Sequence, residues 1–387
     1  MSLKKAHPSR YAKDFLRALP GSKFLLKPYQ NIRHFQDRFK LDSDSRHLYD
    51  SGQRFLNVAM DTNNTCNLKC VMCSRHLHSQ PVVHMTAEQF KIIGDKVFPY
   101  TQRLALSCAY EPTIAKHLHK ILKLIPHYDI PEVRLVTNGV RLNEKMISAI
   151  LENGITEVQF SLGEENAESY KNIRGAFFDK VVSNIKKLSQ ENDKLNTPIK
   201  LVTNLTLMSQ NIDKLPDFVR FAHSIGITRI QGRSLMLLEG IEAGNDQILN
   251  DRADYANRII AEAKELASSL DIECDILPIS PTPQPTGLCK SPWYGLSIHP
   301  NGQASFCSLT LLKEPLGNLL TDSFEEIYFT GKAIRRTRKR FLMTLPNEGN
   351  IPLYSTVAKR YNQLALNPIC SWCSSGNSGF EWNSLGY

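Results

Sequence analysis

No run of eighteen apolar residues occurs in this chain, so nothing in it reads as a membrane-spanning helix. Lys4 and Lys5 lead into no apolar core of a secretory signal, and the expectation is a cytoplasmic protein without membrane contact. Low-complexity tracts are missing, and glycine and proline stay at 20 each, which excludes fibrous and disordered classes. No zinc-finger or helix-turn-helix spacing accompanies the net charge of +9, so nucleic acid is not expected as a partner. One dense basic run, Arg335-Arg336-Thr337-Arg338-Lys339-Arg340, reads as a solvated face or as a surface for an anionic substrate or partner.

Cysteine is what the chain does have. Of nine, seven fall into two groups: Cys66, Cys70 and Cys73, then Cys289, Cys307, Cys370 and Cys373. Such grouping in a chain without a secretory signal favours metal ligation over disulfides. Cys108 and Cys274 stand apart.

The 387 residues divide by pattern into three stretches. Residues 1–55 read as a polar helical extension with an apolar stripe at Tyr11, Phe15, Leu16 and Leu19. From 56 to 285 strands alternate with helices. The strands are expected at Phe55–Met60, Arg103–Ser107, Val133–Val136, Glu157–Leu162, Ile199–Thr203 and Thr228–Gln231. Helices are expected over 87–98, 113–125, 143–153, 177–189, 211–224 and 251–270. Six strand-and-helix units argue for parallel pairing with right-handed crossovers. They are too few for an eight-stranded closed barrel. The fold class is therefore α/β: a partial (βα)6 TIM-like barrel with its active site at the strands' C-terminal ends. A proline-rich segment, Pro278 to Pro285, marks a boundary near 285. Residues 286–387 form a small cysteine-rich domain, with a hairpin turning at His299-Pro300-Asn301-Gly302 and a metal supplying stability.

Cys66-Asn67-Leu68-Lys69-Cys70-Val71-Met72-Cys73 puts three soft thiolates just after the first strand. Structural zinc takes a fourth ligand, whereas an iron–sulfur cubane on three cysteines keeps one iron open for a small molecule. The motif Cys-x3-Cys-x2-Cys in this position resembles the defining motif of the radical S-adenosylmethionine family. That resemblance implies a 4Fe–4S cluster on Cys66, Cys70 and Cys73, with S-adenosylmethionine on the open iron. It also implies a 5′-deoxyadenosyl radical that takes a hydrogen atom from substrate carbon. The family's usual aromatic before the last cysteine is replaced by Met72. Ala109-Tyr110-Glu111-Pro112 resembles the family's Gly-Gly-Glu-Pro segment, which implies cofactor contacts at Tyr110, Glu111 and Pro112. Asn138, in Thr137-Asn138-Gly139, and Ser161, near the end of the fourth strand, take cofactor-binding places on the same resemblance. Ile173-Arg174-Gly175 with Phe178-Asp179 is similar to the family segment leading into the next helix.

Four thiolates at the other end can close a zinc tetrahedron or all corners of a cubane, and spacing alone leaves both open. Cys289…Gly302…Cys307, Pro315-Leu316-Gly317-Asn318-Leu319, Phe324-Glu325-Glu326-Ile327-Tyr328 and Pro368-Ile369-Cys370-Ser371-Trp372-Cys373 together resemble the auxiliary-cluster domain called SPASM, or its shorter twitch form. That implies one auxiliary 4Fe–4S cluster on Cys289, Cys307, Cys370 and Cys373, serving as electron acceptor or conduit. The implied activity is that of a radical oxidoreductase or maturase fed by a reducing electron donor such as flavodoxin or ferredoxin. A small polar substrate such as a sugar or cyclitol alcohol is the leading expectation. A peptide or protein-modifying maturase is the alternative, and a non-enzymatic iron–sulfur or zinc scaffold is a third reading. Cys108, directly before the Ala109–Pro112 segment, reads as a buried small hydrophobe or as a hydrogen-atom donor in catalysis.

Overall fold

The computed structural model describes residues 40–73, 80–235, 237, 241–281, 289–308, 310–311 and 314–343. Most of the 1–55 extension lies outside them, as do Cys370 and Cys373. A helix over 40–50, α1, opens the described part. It is followed by β1 (Leu56–Met60), α2 (Ala87–Val97), β2 (Thr101–Leu106), α3 (Leu118–Leu122), β3 (Glu132–Thr137), α4 (Glu144–Glu152) and β4 (Glu157–Phe160). Then come α5 (Ala167–Ile173), α6 (Phe178–Asn192), β5 (Lys200–Leu207), α7 (Leu215–Ser224), β6 (Arg229–Ser234), α8 (Ala253–Ser269) and β7 (Glu273–Ile276). The last part holds α9 (Ser291–Tyr294), β8 (Gly295–Ile298), β9 (Gln303–Ser305), β10 (Gly317–Asn318) and α10 (Lys332–Met343).

All the strands join one sheet in the order β10-β9-β8-β1-β2-β3-β4-β5-β6-β7. From β8 through β7 every neighbouring pair is parallel, while β9 and β10 are antiparallel additions. The parallel run therefore holds eight strands rather than the six expected. β7 is the short Glu273–Ile276 segment, strand-like in the sequence but not counted among the barrel's six units. β8 comes from beyond the boundary expected near 285, so the sheet continues across it.

Period-two alternation explains which way each strand faces. Leu56, Val58 and Met60 of β1, Leu104 and Leu106 of β2, and Val133 and Leu135 of β3 are buried on one face with helix residues such as Phe90, Ile121 and Ile147. The opposite, inner face is polar. There Arg103 pairs with Glu132 at 2.5 Å, Arg134 with Glu157 at 2.6 Å, and Arg229 with Glu273 and Asp275 at 3.3 Å. The first two pairs and Arg229–Glu273 join residues directly opposite in register near the strands' N-terminal ends.

Local chemistry sets the helix limits. Thr86 caps α2 in a reciprocal capping box with Gln89, and Asn143 caps α4 through Met146 N–H. The helix expected over 113–125 is broken instead: a 3-10 turn at Pro112–Ile114 precedes α3, and another at Ile125–Tyr128 carries Pro126. Asn166 caps α5, a seven-residue polar helix too short to show periodicity in the sequence.

The basic run Arg335–Arg340 lies on α10 and divides by face. Arg335, Arg336 and Lys339 are exposed, but Arg338 is buried. Its guanidinium lies 5.0 Å from the Tyr328 ring centroid, donates to the Pro292 carbonyl at 3.0 Å and pairs with Asp42 at 3.6 Å. Arg338→Ala is expected to lower stability by about 2–3 kcal/mol through lost stacking and hydrogen bonding. Arg335→Ala and Arg336→Ala should stay within about 0.5 kcal/mol. Thermal unfolding of the three variants side by side checks the division.

Candidate functional site

The first cysteine group sits in the loop leaving β1, at the C-terminal mouth of the sheet. Cys66, Cys70 and Cys73 are each half-buried, and Cys66 and Cys70 pack against the core. Leu68, buried between them, anchors the loop, while Lys69 is exposed. The Cys73 N–H donates to the Cys70 carbonyl at 3.0 Å, closing the turn that carries both. Val71 joins the loop to α5 by donating to the Ile173 carbonyl at 3.0 Å. Among the described residues no three His, Cys, Asp or Glu side chains converge as they would around a single metal ion. Cys66 and Cys73 both act electrostatically on Cys70, each raising its pKa, so the three thiols share one neighbourhood.

Burial pushes the Cys70 thiol up, and Arg174 pulls it back down. Arg174 is itself buried and donates from Nε to Glu164 Oε2 at 2.8 Å. Burial works against its charge, but Glu164 and Cys70 more than offset that and raise its pKa. Two polar atoms in this group, Glu164 Oε1 and the Tyr170 hydroxyl, are buried without a hydrogen-bond partner in the structure. Buried orphan atoms of this kind mark a place where a bound polar molecule completes the bonding. Three thiols of iron–sulfur character beside two unsatisfied polar atoms fit a cluster with a polar organic ligand.

The Glu111 carboxylate is engaged within the protein. Its Oε1 accepts from Thr113 N at 3.1 Å, Thr113 Oγ1 at 2.5 Å and Thr137 Oγ1 at 2.7 Å, and its Oε2 accepts from Asn138 N at 2.7 Å. The carboxylate thus ties the β2 loop to the β3 loop, and burial raises its pKa against those bonds. Pro112 follows as the first residue of a buried 3-10 turn. Asn138 sits closest to the cysteines: its Nδ2 donates to Asn67 Oδ1 at 2.9 Å and lies 3.8 Å from Cys66 Sγ. Gly139 takes φ +77° right after it, the conformation that the turn out of β3 requires. Ser161 is half-buried past β4, its N–H on the Thr137 carbonyl at 2.8 Å. By strand alternation it shares the inner face with Glu157 and Gln159.

Tyr110 is half-buried, with its ring edge-on to His299 at 6.4 Å. Cys108 lies with Sγ 4.0 Å from the Ile298 carbonyl, and burial together with Asp61 drives its thiol well above the ordinary range. A thiol so held is protonated and packed against β8. Cys274 is on the helix-facing side of β7, away from this mouth. Cys289 and Cys307 are half-buried and pack against the core on either side of the β8–β9 hairpin. The hairpin turns at Gly302, φ +87°, with its N–H on the His299 carbonyl at 2.9 Å.

Sequence reasoning overlooked Asp61, Glu164 and Tyr170. Asp61 had a legible signal, since it continues the inner-face alternation Asn57, Ala59, Asp61 into the cysteine loop. Replacing Arg174 with Met is expected to strand Glu164 as a buried unpaired carboxylate and cost about 3–5 kcal/mol. Replacing both, Arg174→Met with Glu164→Leu, should recover much of that loss. Thermal unfolding of the cluster-free single and double variants measures it.

The model of the radical SAM superfamily matches residues 60–222, and that of the iron–sulfur cluster-binding SPASM domain matches 289–374. A probable GTP 3′,8-cyclase of Methanocaldococcus jannaschii is 31% identical over 177 residues, 45% of this chain and 57% of the relative. The PqqA peptide cyclase of Granulibacter bethesdensis is 22% identical over 260 residues, 65% of this chain and 67% of the relative. The chain spans less than two thirds of the first of these relatives. Among solved structures, Streptococcus suis SuiB bound to S-adenosylmethionine shares the fold, with TM-score 0.59, 14% identity, 84% of this chain and 73% of that chain covered. The two domains imply a 4Fe–4S cluster, S-adenosylmethionine and an auxiliary iron–sulfur centre. The chain belongs to the radical SAM superfamily and carries a SPASM domain over residues 289–374.

Proposed function

We propose that this chain is a peptide- or protein-modifying radical S-adenosylmethionine enzyme. The observation that carries the chemistry is the thiol group Cys66, Cys70 and Cys73 at the sheet's mouth, beside the orphaned atoms of Glu164 and Tyr170. Support for the substrate class comes from the PqqA peptide cyclase, whose similarity extends over 65% of the chain, against 45% for the GTP 3′,8-cyclase. The sugar or cyclitol alcohol expected from the sequence finds no such support.

Cys66, Cys70 and Cys73 would hold the cluster, and Cys289, Cys307, Cys370 and Cys373 the auxiliary one. When bound, the reduced cluster and S-adenosylmethionine supply a 5′-deoxyadenosyl radical that takes hydrogen from carbon. Arg174 favours the ligating, deprotonated form of Cys70 against the cost of burial. Asn138 braces the cysteine loop through Asn67. Glu111 fixes the β3 loop that bears Asn138, and Ser161 lines the inner face at the mouth. The ion pairs lower on that face match each of Arg103, Arg134 and Arg229 to a carboxylate. An electron carrier such as flavodoxin or ferredoxin is the reductant in this reading.

Reconstituted protein is expected to bind about eight irons per chain, and Cys70→Ala about four, with Cys289→Ala losing the other set. Iron and sulfide assay reads this, and one cubane in the intact chain overturns the two-cluster reading. With reductant and S-adenosylmethionine, deuterium from a labelled peptide pool should enter 5′-deoxyadenosine, and Cys70→Ala should abolish it. Label arriving from polyols and never from peptides reverses the substrate assignment.

A further inference from the structure

The loop after β2 is gripped from β1 by a residue outside both cysteine groups. Asp61 stands one position past β1 and is 1% exposed. Its Oδ1 accepts from three successive main-chain N–H groups: Cys108 at 2.8 Å, Ala109 at 3.1 Å and Tyr110 at 3.3 Å. Consecutive N–H groups converging in this way form a nest, which ordinarily takes an anion. Here the anion is the protein's own carboxylate. The next N–H, that of Glu111, goes to the Thr65 carbonyl at 3.0 Å, so β1 and its loop engage four amides in a row.

Further contacts hold the same short segment. Ser107 enters it at φ +156° and its Oγ donates to the Tyr110 carbonyl at 2.7 Å. Asn63 Nδ2 donates to the Glu111 carbonyl at 2.8 Å. The Asp61 N–H donates to the Ile298 carbonyl at 2.9 Å, which places the grip at the β1–β8 seam. With its N–H groups on Asp61 and Thr65 and the Tyr110 and Glu111 carbonyls on Ser107 and Asn63, the segment is held from both sides of its backbone.

We infer that Asp61 is a positioning residue: its carboxylate fixes the 108–110 backbone and thereby sets the affinity for S-adenosylmethionine without touching the cysteines' iron. The affinity part rests on the function proposed above, whereas the grip itself does not. Both are tested on the full reconstituted chain with Asp61→Ala and Asp61→Asn. Amide exchange at 108–110, followed by mass spectrometry, should quicken by about tenfold or more in Asp61→Ala. It should quicken less in Asp61→Asn, which keeps an acceptor oxygen but loses its charge. Iron content should match wild type. The dissociation constant for S-adenosylmethionine, from equilibrium dialysis, should rise about tenfold in Asp61→Ala and by an intermediate factor in Asp61→Asn. Unchanged exchange in either variant overturns the grip. Quickened exchange with unchanged affinity overturns the link to the cofactor. Normal exchange and binding with lost turnover replaces positioning by a role in proton transfer. Should Asp61→Ala not fold, the graded change in Asp61→Asn decides alone, and its absence overturns the inference. A wild type that binds no S-adenosylmethionine defeats the proposed function while the exchange data still judge the grip.

Discussion

β8 lying along β1 is the contact on which the rest of this molecule depends. Residues Asn57 to Met60 run in parallel register with Gly295 to Ile298, and the Asp61 N–H extends the ladder by one bond. Through that pairing the segment bearing Cys289 and Cys307 becomes part of the sheet that bears Cys66, Cys70 and Cys73. The approach is close: a side-chain carbon on Gly295 would stand 2.8 Å from the Phe306 carbonyl oxygen and 3.0 Å from that of Ser291. Glycine at 295 is therefore required where α9 turns into β8. Behind the seam Trp293 is fully buried and donates to Asp42 of α1 at 2.6 Å, so the helix before the barrel closes over the same joint.

A second constraint is the division of the sheet into an apolar and a polar face. Burial of Leu, Val and Ile on the helix side supplies the cohesion of the fold. The inner face cannot be filled the same way, because it has to remain polar at the mouth. Charged residues placed opposite one another across the strands solve this, each arginine meeting a carboxylate in register. Among the described residues the sheet has β7 at one edge and β10 at the other, and these two strands do not pair with each other.

The sequence carried the barrel clearly wherever a strand is apolar on its helix side. Each expected strand falls on an observed one to within a few residues at its ends, because Val, Ile and Leu at period two are what the helices cover. β7 and β8 were legible as a strand-like segment and as one arm of a hairpin, but not as parallel members of the barrel sheet. Glu273-Cys274-Asp275-Ile276 has only one residue that is both apolar and buried, and β8 is recruited by a partner two hundred residues earlier in the chain. The cysteine group announced itself by spacing, since ligands close together in a loop are close in sequence too. The residues around it did not. Glu164, Tyr170 and Arg174 gather near Cys70 only because α5 folds back onto the cysteine loop through Val71 and Ile173.

Glu111 has a structural task in addition to the cofactor contact expected of its segment: its carboxylate accepts four hydrogen bonds from Thr113, Thr137 and Asn138. A buried carboxylate without such donors carries a heavy desolvation penalty, and burial does raise its pKa here. The four bonds lower that penalty and weld two loops together. The side chain of Glu111 thus fixes the shape of the backbone around it. The same logic applies one strand away, where Asp61 satisfies three backbone amides and leaves Tyr110 to turn its ring toward His299. Two buried acids therefore shape the loops that surround the cysteines, and each does so by accepting hydrogen bonds, Asp61 from backbone N–H groups and Glu111 from backbone and hydroxyl donors.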